Sequence, residues 1–494
     1  MSAGSLTQVI AQGALDQYLT QNATFTYWKS RYNKHTLFAI ESVSQPFSTV
    51  VSFGSEAQVV LNRQGDLIYW TYIRITLPAI QACDAEIDKC TGSTAQFPAF
   101  MDQSCAPCKA NDEEALREYL DADDTLSQSS QGERAQKLAS ARAKWLKTKY
   151  GSAPPLECCD EVEDCPDAYP ELGNVWCHWV QAIGQYLVKQ VKLIIGGSTV
   201  DQLTNEWMYI WEEMTGRAGR RLTELIGKRY TRTQLVCDSR RQRTIFVPLP
   251  FWFCLNSGSA LSLASLQFHG VSMHVDFARL TDCIVTSSGN VIVKNAANSC
   301  CLTPSDLVAA IETSYVFLDN TERERFATNS FEVLVTQNQS FYYQTNNSSC
   351  RLALNFNHPI ISMYWCIRRQ CNERTNAWFN FSGIDSLDPL ISASLTLNNQ
   401  SRFGEKGATY LRLVQPLQHH SNIPDSFIYM YSFALSPESE SPSGTCNFSR
   451  IDHVELLLTL QSGLGKEQCT VMVFARSFNI IRFREGLAGL AFAN

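Results

Sequence analysis

Apolar and polar residues alternate over short stretches along most of this chain. The run 67–77, LIYWTYIRITL, is the clearest. Alternation predicts that Ile68, Trp70, Tyr72, Arg74 and Thr76 face one way and Leu67, Tyr69, Thr71, Ile73 and Ile75 the other, with Gly65-Asp66 and Pro78 at the ends. Similar β-branched and aromatic runs lie at 37–47, 188–195, 244–253, 271–277, 314–318, 331–335, 360–367, 390–397, 427–435, 453–460 and 469–475. Many short strands separated by polar turns predict a mainly β chain of the sandwich or barrel class. Helical spacing is rarer. It occurs at 205–214, where Trp207, Ile210, Trp211 and Met214 form one stripe, and at 132–150, which Gly151 ends. A short charged helix is expected at 320–326 with Asn320 as its N-cap. The stretch 245–270 carries no Asp, Glu, Lys or Arg, but Pro248, Pro250, Asn256 and Gly258 would break a membrane helix, so it reads as strand, turn, strand.

A chain of 494 residues exceeds one ordinary core. The charged helix lies between two strand-rich halves. The expected organisation is an arm at 1–23, a first unit at 24–319, a linker helix at 320–328 and a second unit at 329–494. An insert at 83–177 interrupts the first unit. No repeat is visible by residue identity.

Charge separates the insert from the body. The net charge is −7, yet 83–177 holds 19 acidic and 9 basic residues, leaving the remainder at +3. An acidic insert on a near-neutral body excludes the broad basic field of a whole-protein nucleic-acid binder. Residues 1–12 show no basic segment followed by an apolar one, so no secretory signal is expected. Eight of the 18 cysteines fall in the insert, and the other ten read as small buried hydrophobes.

Several strings, in order along the chain, carry a resemblance. They are GALDQYLT at 13–20 with Phe25, Tyr32 and His35-Thr36; RQGDL at 63–67; IIGGS at 194–198 with Glu206-Trp207 and Trp211; and 245–267. The longest is QPLQHHSNIPDSFIYMYSFALSPESESPSGTCNFSRID at 415–452, and GLAGLAFAN closes the chain. Together they resemble the major capsid proteins of nucleocytoplasmic large DNA viruses. The resemblance implies a double jelly roll, two eight-stranded antiparallel β-sandwiches in one chain. It further implies a structural role without enzymatic activity or cofactor, and homotrimers of hexagonal outline that tile an icosahedral virion assembled in the host cytoplasm. Neighbouring capsomers and minor capsid, cement and penton proteins would be the partners, with no direct nucleic-acid contact and no membrane span. The Cys-rich, partly helical insert departs from the resemblance and reads as a loop decoration on the outer capsomer surface. Two alternatives stay open: a carbohydrate-binding jelly-roll protein, and a minor vertex protein of the same lineage.

No catalytic constellation is legible. Gly196-Gly197 lacks a phosphate-loop pattern and reads as a β-turn, and no GxSxG elbow occurs. His419-His420 has no ligand set beside it and reads as packing. In the insert, Cys83, Cys90, Cys105, Cys108, Cys158, Cys159, Cys165 and Cys177 are disulfide candidates. Zinc held by Cys105, Cys108, Cys158 and Cys159 is the alternative, and free thiols a third. The segment 216–243 holds nine Lys or Arg against Glu224 and Asp238. A solvated or intersubunit face is the simplest reading. The sharper one makes Arg217, Arg220, Arg221, Arg240, Arg241 and Arg243 a dock for an acidic partner. Seven N-x-[ST] sequons, including Asn338, leave surface glycosylation open.

Overall fold

The computed structural model describes residues 3–11, 20–21, 34–82, 177–216, 222–229, 231–286, 293–295, 300–461, 464 and 468–492. Sixteen strands build two sandwiches. The first uses β1 (Phe38–Pro46), β2 (Glu56–Val60), β3 (Leu67–Leu77), β4 (Val188–Ile195), β5 (Ser198–Thr204), β6 (Arg243–Pro248), β7 (Val271–Phe277) and β8 (Val308–Leu318). The second uses β9 (Phe331–Thr345), β10 (Ser349–Ala353), β11 (Pro359–Arg369), β12 (Leu390–Leu397), β13 (Gln400–Gly407), β14 (Ile428–Ser432), β15 (Val454–Leu460) and β16 (Cys469–Arg484).

In the first sandwich, sheet I runs β1-β8-β3-β6 and sheet II runs β2-β7-β4-β5. In the second, sheet III runs β9-β16-β11-β14 and sheet IV runs β10-β15-β12-β13. Adding eight to each strand number of the first sandwich gives the second, and every pairing is antiparallel. The chain is therefore an internal repeat of topology that residue identity hides. Even the tightest turns correspond. Gly196-Gly197 links β4 to β5 and Asn398-Asn399 links β12 to β13, and all four residues have positive φ. Two-residue hairpins need that conformation, which Gly and Asn adopt most readily.

The register places the long connections together. Pro46, Leu77, Arg243 and Val308 lie at one end of sheet I, so 47–55, 78–187, 205–242 and 278–307 all leave from that end. The second sandwich repeats this with 370–389, 408–427 and 461–468. The two loop-rich ends lie side by side. Trp378 Nε1 donates to Asp282 O at 2.8 Å, and Asn376 Nδ2 donates to Ile284 O at 2.7 Å. At the opposite end, Phe268 N donates to Gly486 O at 3.0 Å. The strands at the two edges of the acidic insert thus place its roots at the loop-rich end.

Local expectations fare unevenly. The helix at 205–214 is α1 (Asn205–Thr215). The run 67–77 does not alternate throughout. A register shift between the pairs of Thr313 and Tyr315 makes Tyr69-Trp70 a bulge, so Ile68 shares the core side with Thr71, Ile73 and Ile75. The stretch 244–253 stops as strand at Pro248, because a second proline at 250 removes a ladder donor. Trp252–Leu255 is then a helical turn, and the second strand expected before residue 270 shrinks to Leu261–Ser262. At 427–435 only Ile428–Ser432 is strand. The linker helix spans Asn320–Thr328, but its cap is Asp319, whose side chain accepts from Glu322 N at 2.9 Å; Asn320 is the first helical residue. The helix expected at 132–150 lies outside the described residues.

Candidate assembly surface

Helix α1 starts where β5 ends. Thr204 caps it, its hydroxyl accepting from Trp207 N at 3.3 Å. Nine of its eleven residues are buried, far more than one amphipathic stripe would hide. The reason is that α1 lies between the sandwiches. Trp207 meets the rings of Tyr364 at 5.4 Å and Phe474 at 6.0 Å, and Tyr209 stacks on Phe379 at 4.2 Å. The Arg476 guanidinium sits 4.2 Å from the Trp211 ring centre. Aromatic side chains of this size bury 150–250 Å² each, about 4–6 kcal/mol gross at ~25 cal/mol/Å².

What α1 covers is the outward face of sheet III. Cross-strand rows on that face read Ser340, Phe474, Tyr364, Met430 and Tyr342, Met472, Cys366, Ile428. Tyr364, Cys366, Met430 and Met472 are fully buried and belong to the apolar core of the first sandwich. The second sandwich fills its own interior with Leu352, Trp365, Leu395, Tyr429, Leu456 and Val473. The central strands β11 and β16 of sheet III are therefore buried on both faces, while Tyr342 on the edge strand β9 stays 45% exposed.

Polar groups caught in this junction are paired or perturbed. Arg368 bonds Glu206 at 3.2 Å and Glu373 at 3.0 Å. Gln337 Nε2 donates to Val200 O at 2.5 Å, and Asn338 N donates to Asp201 Oδ1 at 3.2 Å. Burial outweighs these bonds at Asp201 and pushes its carboxyl up to about 7, while Asp201 Oδ2 and Asn338 Oδ1 have no hydrogen-bond partner. Desolvation likewise lowers buried Arg476 to about 10, although it donates to Pro437 O at 2.7 Å. His420 is held between Tyr364 Oη at 2.9 Å and Glu438 Oε1 at 2.8 Å, and burial lowers its pKa. The geometry at His420 is that of packing. Asn338, a sequon on paper, is half-buried with its Oδ1 enclosed.

Sheet I is the topological equivalent of sheet III, and its outward face differs. Its rows read Ser44, Glu312, Tyr72, Pro248 and Pro46, Ala310, Arg74, Phe246. Trp70 stacks on Tyr72 at 5.9 Å along the strand. Trp70, Tyr72, Phe246 and Pro248 are half-buried. Phe38 and Ile40 at one margin are 55% exposed, and Val308 at another is 63% exposed. Half-buried aromatics with exposed apolar margins make this face a candidate interaction surface.

The basic segment is partly engaged within the chain. Arg229 pairs with Asp238 at 2.5 Å and with Glu224, and Arg243 pairs with Glu224 at 2.8 Å and with Asp238. Arg240 and Arg241 follow α2 (Arg232–Ser239) at the loop-rich end. Arg217, Arg220 and Arg221 lie outside the described residues, as do Cys83, Cys90, Cys105, Cys108, Cys158, Cys159 and Cys165. Cys177 is buried in a three-residue strand, Cys177–Trp179. Among the described residues no group of three or more His, Cys, Asp or Glu is placed to hold a metal, and no helix is long and apolar enough to cross a membrane.

One helix escaped the sequence pattern. A continuous helix spans 408–419, with a π turn at Tyr410–Val414. Pro416 and the compact run YLRLV argue for a strand end there; the three-residue spacing of Leu411, Val414 and Leu417 was the available helical signal.

Two sandwiches of this strand order, side by side in one chain, define the double jelly-roll class, which builds viral shells. Two family models agree: "Major capsid protein N-terminus" matches 26–102 and 157–319, and "Large eukaryotic DNA virus major capsid protein" matches 322–489. The chain belongs to the major capsid protein family of large eukaryotic DNA viruses. It is 28% identical to the major capsid protein of Phaeocystis pouchetii virus and 26% identical to that of Paramecium bursaria Chlorella virus 1, over the full length of both chains in each case. A quasi-atomic model of the PBCV-1 virus capsid superposes with a TM-score of 0.66 at 22% identity, covering 95% of this chain and 100% of that one. The Faustovirus major capsid protein gives 0.61 at 11% identity, covering 97% and 96%. The carbohydrate-binding alternative is not favoured. The unmatched residues 103–156 fall inside the acidic insert, whose flanks the family model does reach.

Proposed function

We propose that this capsid protein works as a homotrimer of six quasi-equivalent sandwiches whose hexagonal outline tiles the virion shell, and that it has no catalytic role. The observation that carries this reading is the unequal treatment of two equivalent faces. The central strands of sheet III are covered by the first sandwich of the same chain, whereas sheet I keeps a half-buried aromatic face with exposed apolar margins at Phe38, Ile40 and Val308. A face left over by a repeat unit is served by a further copy, and head-to-tail contacts of this kind close into rings. Assembly proceeds in the host cytoplasm before shell closure. Structural domains at 24–319 and 329–494, joined by the linker at 320–328, are the working units, with an arm at 1–23.

The loop-rich end is read as the outer surface, which places the insert at 83–177 outside. Crosslinks or zinc among its cysteines would stabilise a small decoration with little core. Arg240 and Arg241, with Arg217, Arg220 and Arg221, form the dock for an acidic neighbour such as a minor capsid, cement or penton protein. Light scattering coupled to size exclusion tests the central claim. A mass three times that of the 55.5-kDa chain is expected, with hexagonal particles in negative stain. A monomer at every concentration would sink it. For the insert, mass spectrometry without reductant and elemental zinc analysis separate the chemistries; full alkylation with no zinc rejects both.

A further inference from the structure

Two edge strands meet at the seam between the sandwiches, β5 of sheet II and β9 of sheet III. Side chains join them there: Gln337 Nε2 donates to Val200 O, and Asn338 N donates to Asp201 Oδ1. Beside these bonds lies a cleft of about 480 Å³. Thr199, Asp201, Asn338 and Ser340 line it, with the rings of Trp207 and Phe474. Asp201 is the one ionisable residue of that lining among the described residues. It is only 4% exposed, and its Oδ2 has no hydrogen-bond partner; nor has Asn338 Oδ1. Buried acceptors are seldom left unserved. Arg476 is the charged group that acts on Asp201, but it is committed elsewhere. It donates to Pro437 O and to Thr336 Oγ1, and it lies over the Trp211 ring. Two neighbouring acceptors, one of them a carboxylate, therefore lack a donor, and the donor they suit best is a cation.

We propose that this cleft binds a primary ammonium group on an alkyl stem, the chemistry shared by a lysine side chain and a small diamine. The ammonium brings three donors and one positive charge to Asp201 Oδ2 and Asn338 Oδ1. Its stem lies along Trp207 and Phe474, which attract both the methylenes and the charge. Both oxygens are enclosed, so entry requires the half-buried Asn338 side chain to turn, and its oxygen has no bond to break. A divalent metal suits the cleft less well. One carboxylate and one amide oxygen fall short of the roughly six to eight oxygens that calcium gathers. Burial holds the Asp201 carboxyl up at about 7, so ammonium and proton compete for it. Below that pH the amine must displace the proton, and its affinity falls by about tenfold per pH unit. The site lies within one chain and is independent of the trimer reading.

Thermal melting of the full chain at pH 8 tests it. The probes are n-butylammonium, 1,4-butanediammonium and Nα-acetyl-lysine methylamide, against sodium chloride and calcium chloride at matched ionic strength. The amines should raise the melting temperature by about 2 °C or more where they saturate the site, and the salts should not. The rise should largely disappear at pH 5.5. Asp201→Asn keeps the shape and removes the charge, so it should abolish the amine response. Asn338→Ala, at a half-buried position, should weaken it severalfold and serves as the check if Asp201→Asn does not fold. A lysine probe as potent as butylammonium identifies the side chain of a docked polypeptide as the ligand. A diamine acting at tenfold lower concentration identifies a free polyamine instead. Sodium or calcium matching the amines, a response equal at the two pH values, or a response that survives both substitutions would each overturn the proposal.

Discussion

Sheets I and III have the same strand order, yet their burial patterns differ in kind. In sheet I, β3 ends in strict alternation from Thr71 to Leu77, and β6 alternates likewise. In sheet III, β11 is buried at nine consecutive positions and β16 at nine. One-sided sheets alternate and two-sided sheets read as continuous apolar runs. Same topology therefore does not mean same environment. The repeat unit was specialised by what lies against it, with α1 on sheet III and, among the described residues, no comparable helix on sheet I.

Substitutions at matching positions should break or sharpen this contrast. The largest effect is expected from Trp207→Ala or Tyr364→Ala, which empty the covered face; each should lower the unfolding free energy by about 3–5 kcal/mol. Denaturant titration would check this, and a loss below ~1 kcal/mol would mean that α1 is not the cover it resembles. Next comes Arg368→Met, which leaves Glu206 buried without its cation. A loss of about 3 kcal/mol is expected, and adding Glu206→Gln should return part of it.

The junction should also respond to pH through Asp201. Its folded pKa of about 7 lies above the ordinary carboxylate value of roughly 3.9. A raised acid favours the folded state most below the unfolded value, and that stabilisation is lost as pH rises through about 7. Melting temperature should therefore fall between pH 5 and pH 8, against which Asp201→Asn, a neutral mimic, should be flatter. His420 and Glu438, both lowered, act in the opposite direction in acid, and Arg476 stays charged over the range. The difference between wild type and Asp201→Asn isolates the one carboxyl. Parallel curves would reject the assignment.

Smaller effects complete the comparison. Asp319→Ala removes the cap of the linker helix and should cost about 1 kcal/mol, read as a shifted denaturation midpoint. Tyr72→Ala, on the open face, should change the stability of the isolated chain by less than about 1 kcal/mol. The contrast with Tyr364→Ala is the sharpest single check, since both tyrosines point outward from the third strand of their sandwich. Equal losses would show that the two faces are equally buried.

The amino-acid sequence determined a good deal. Period-two runs located most strands, the Trp207–Trp211 spacing located α1, and the ordered strings ending at 415–452 pointed to the capsid family. The string at 415–452 gathers at the junction for physical reasons. Gln415 Oε1 accepts from Ser432 N at 3.2 Å, Pro437 O from Arg476, and His420 bridges Tyr364 and Glu438. Local periodicity could not report the bulge at Tyr69-Trp70, because one extra residue flips the faces without changing composition. Nor could it find helix 408–419 behind Pro416. The repeat itself was invisible to residue identity, since a sandwich asks only for apolar side chains at inward positions. Which outward face is covered was decided by tertiary structure alone: Tyr72 and Tyr364 both lie at outward positions of a third strand, and only the placement of α1 leaves one half-exposed and makes the other core.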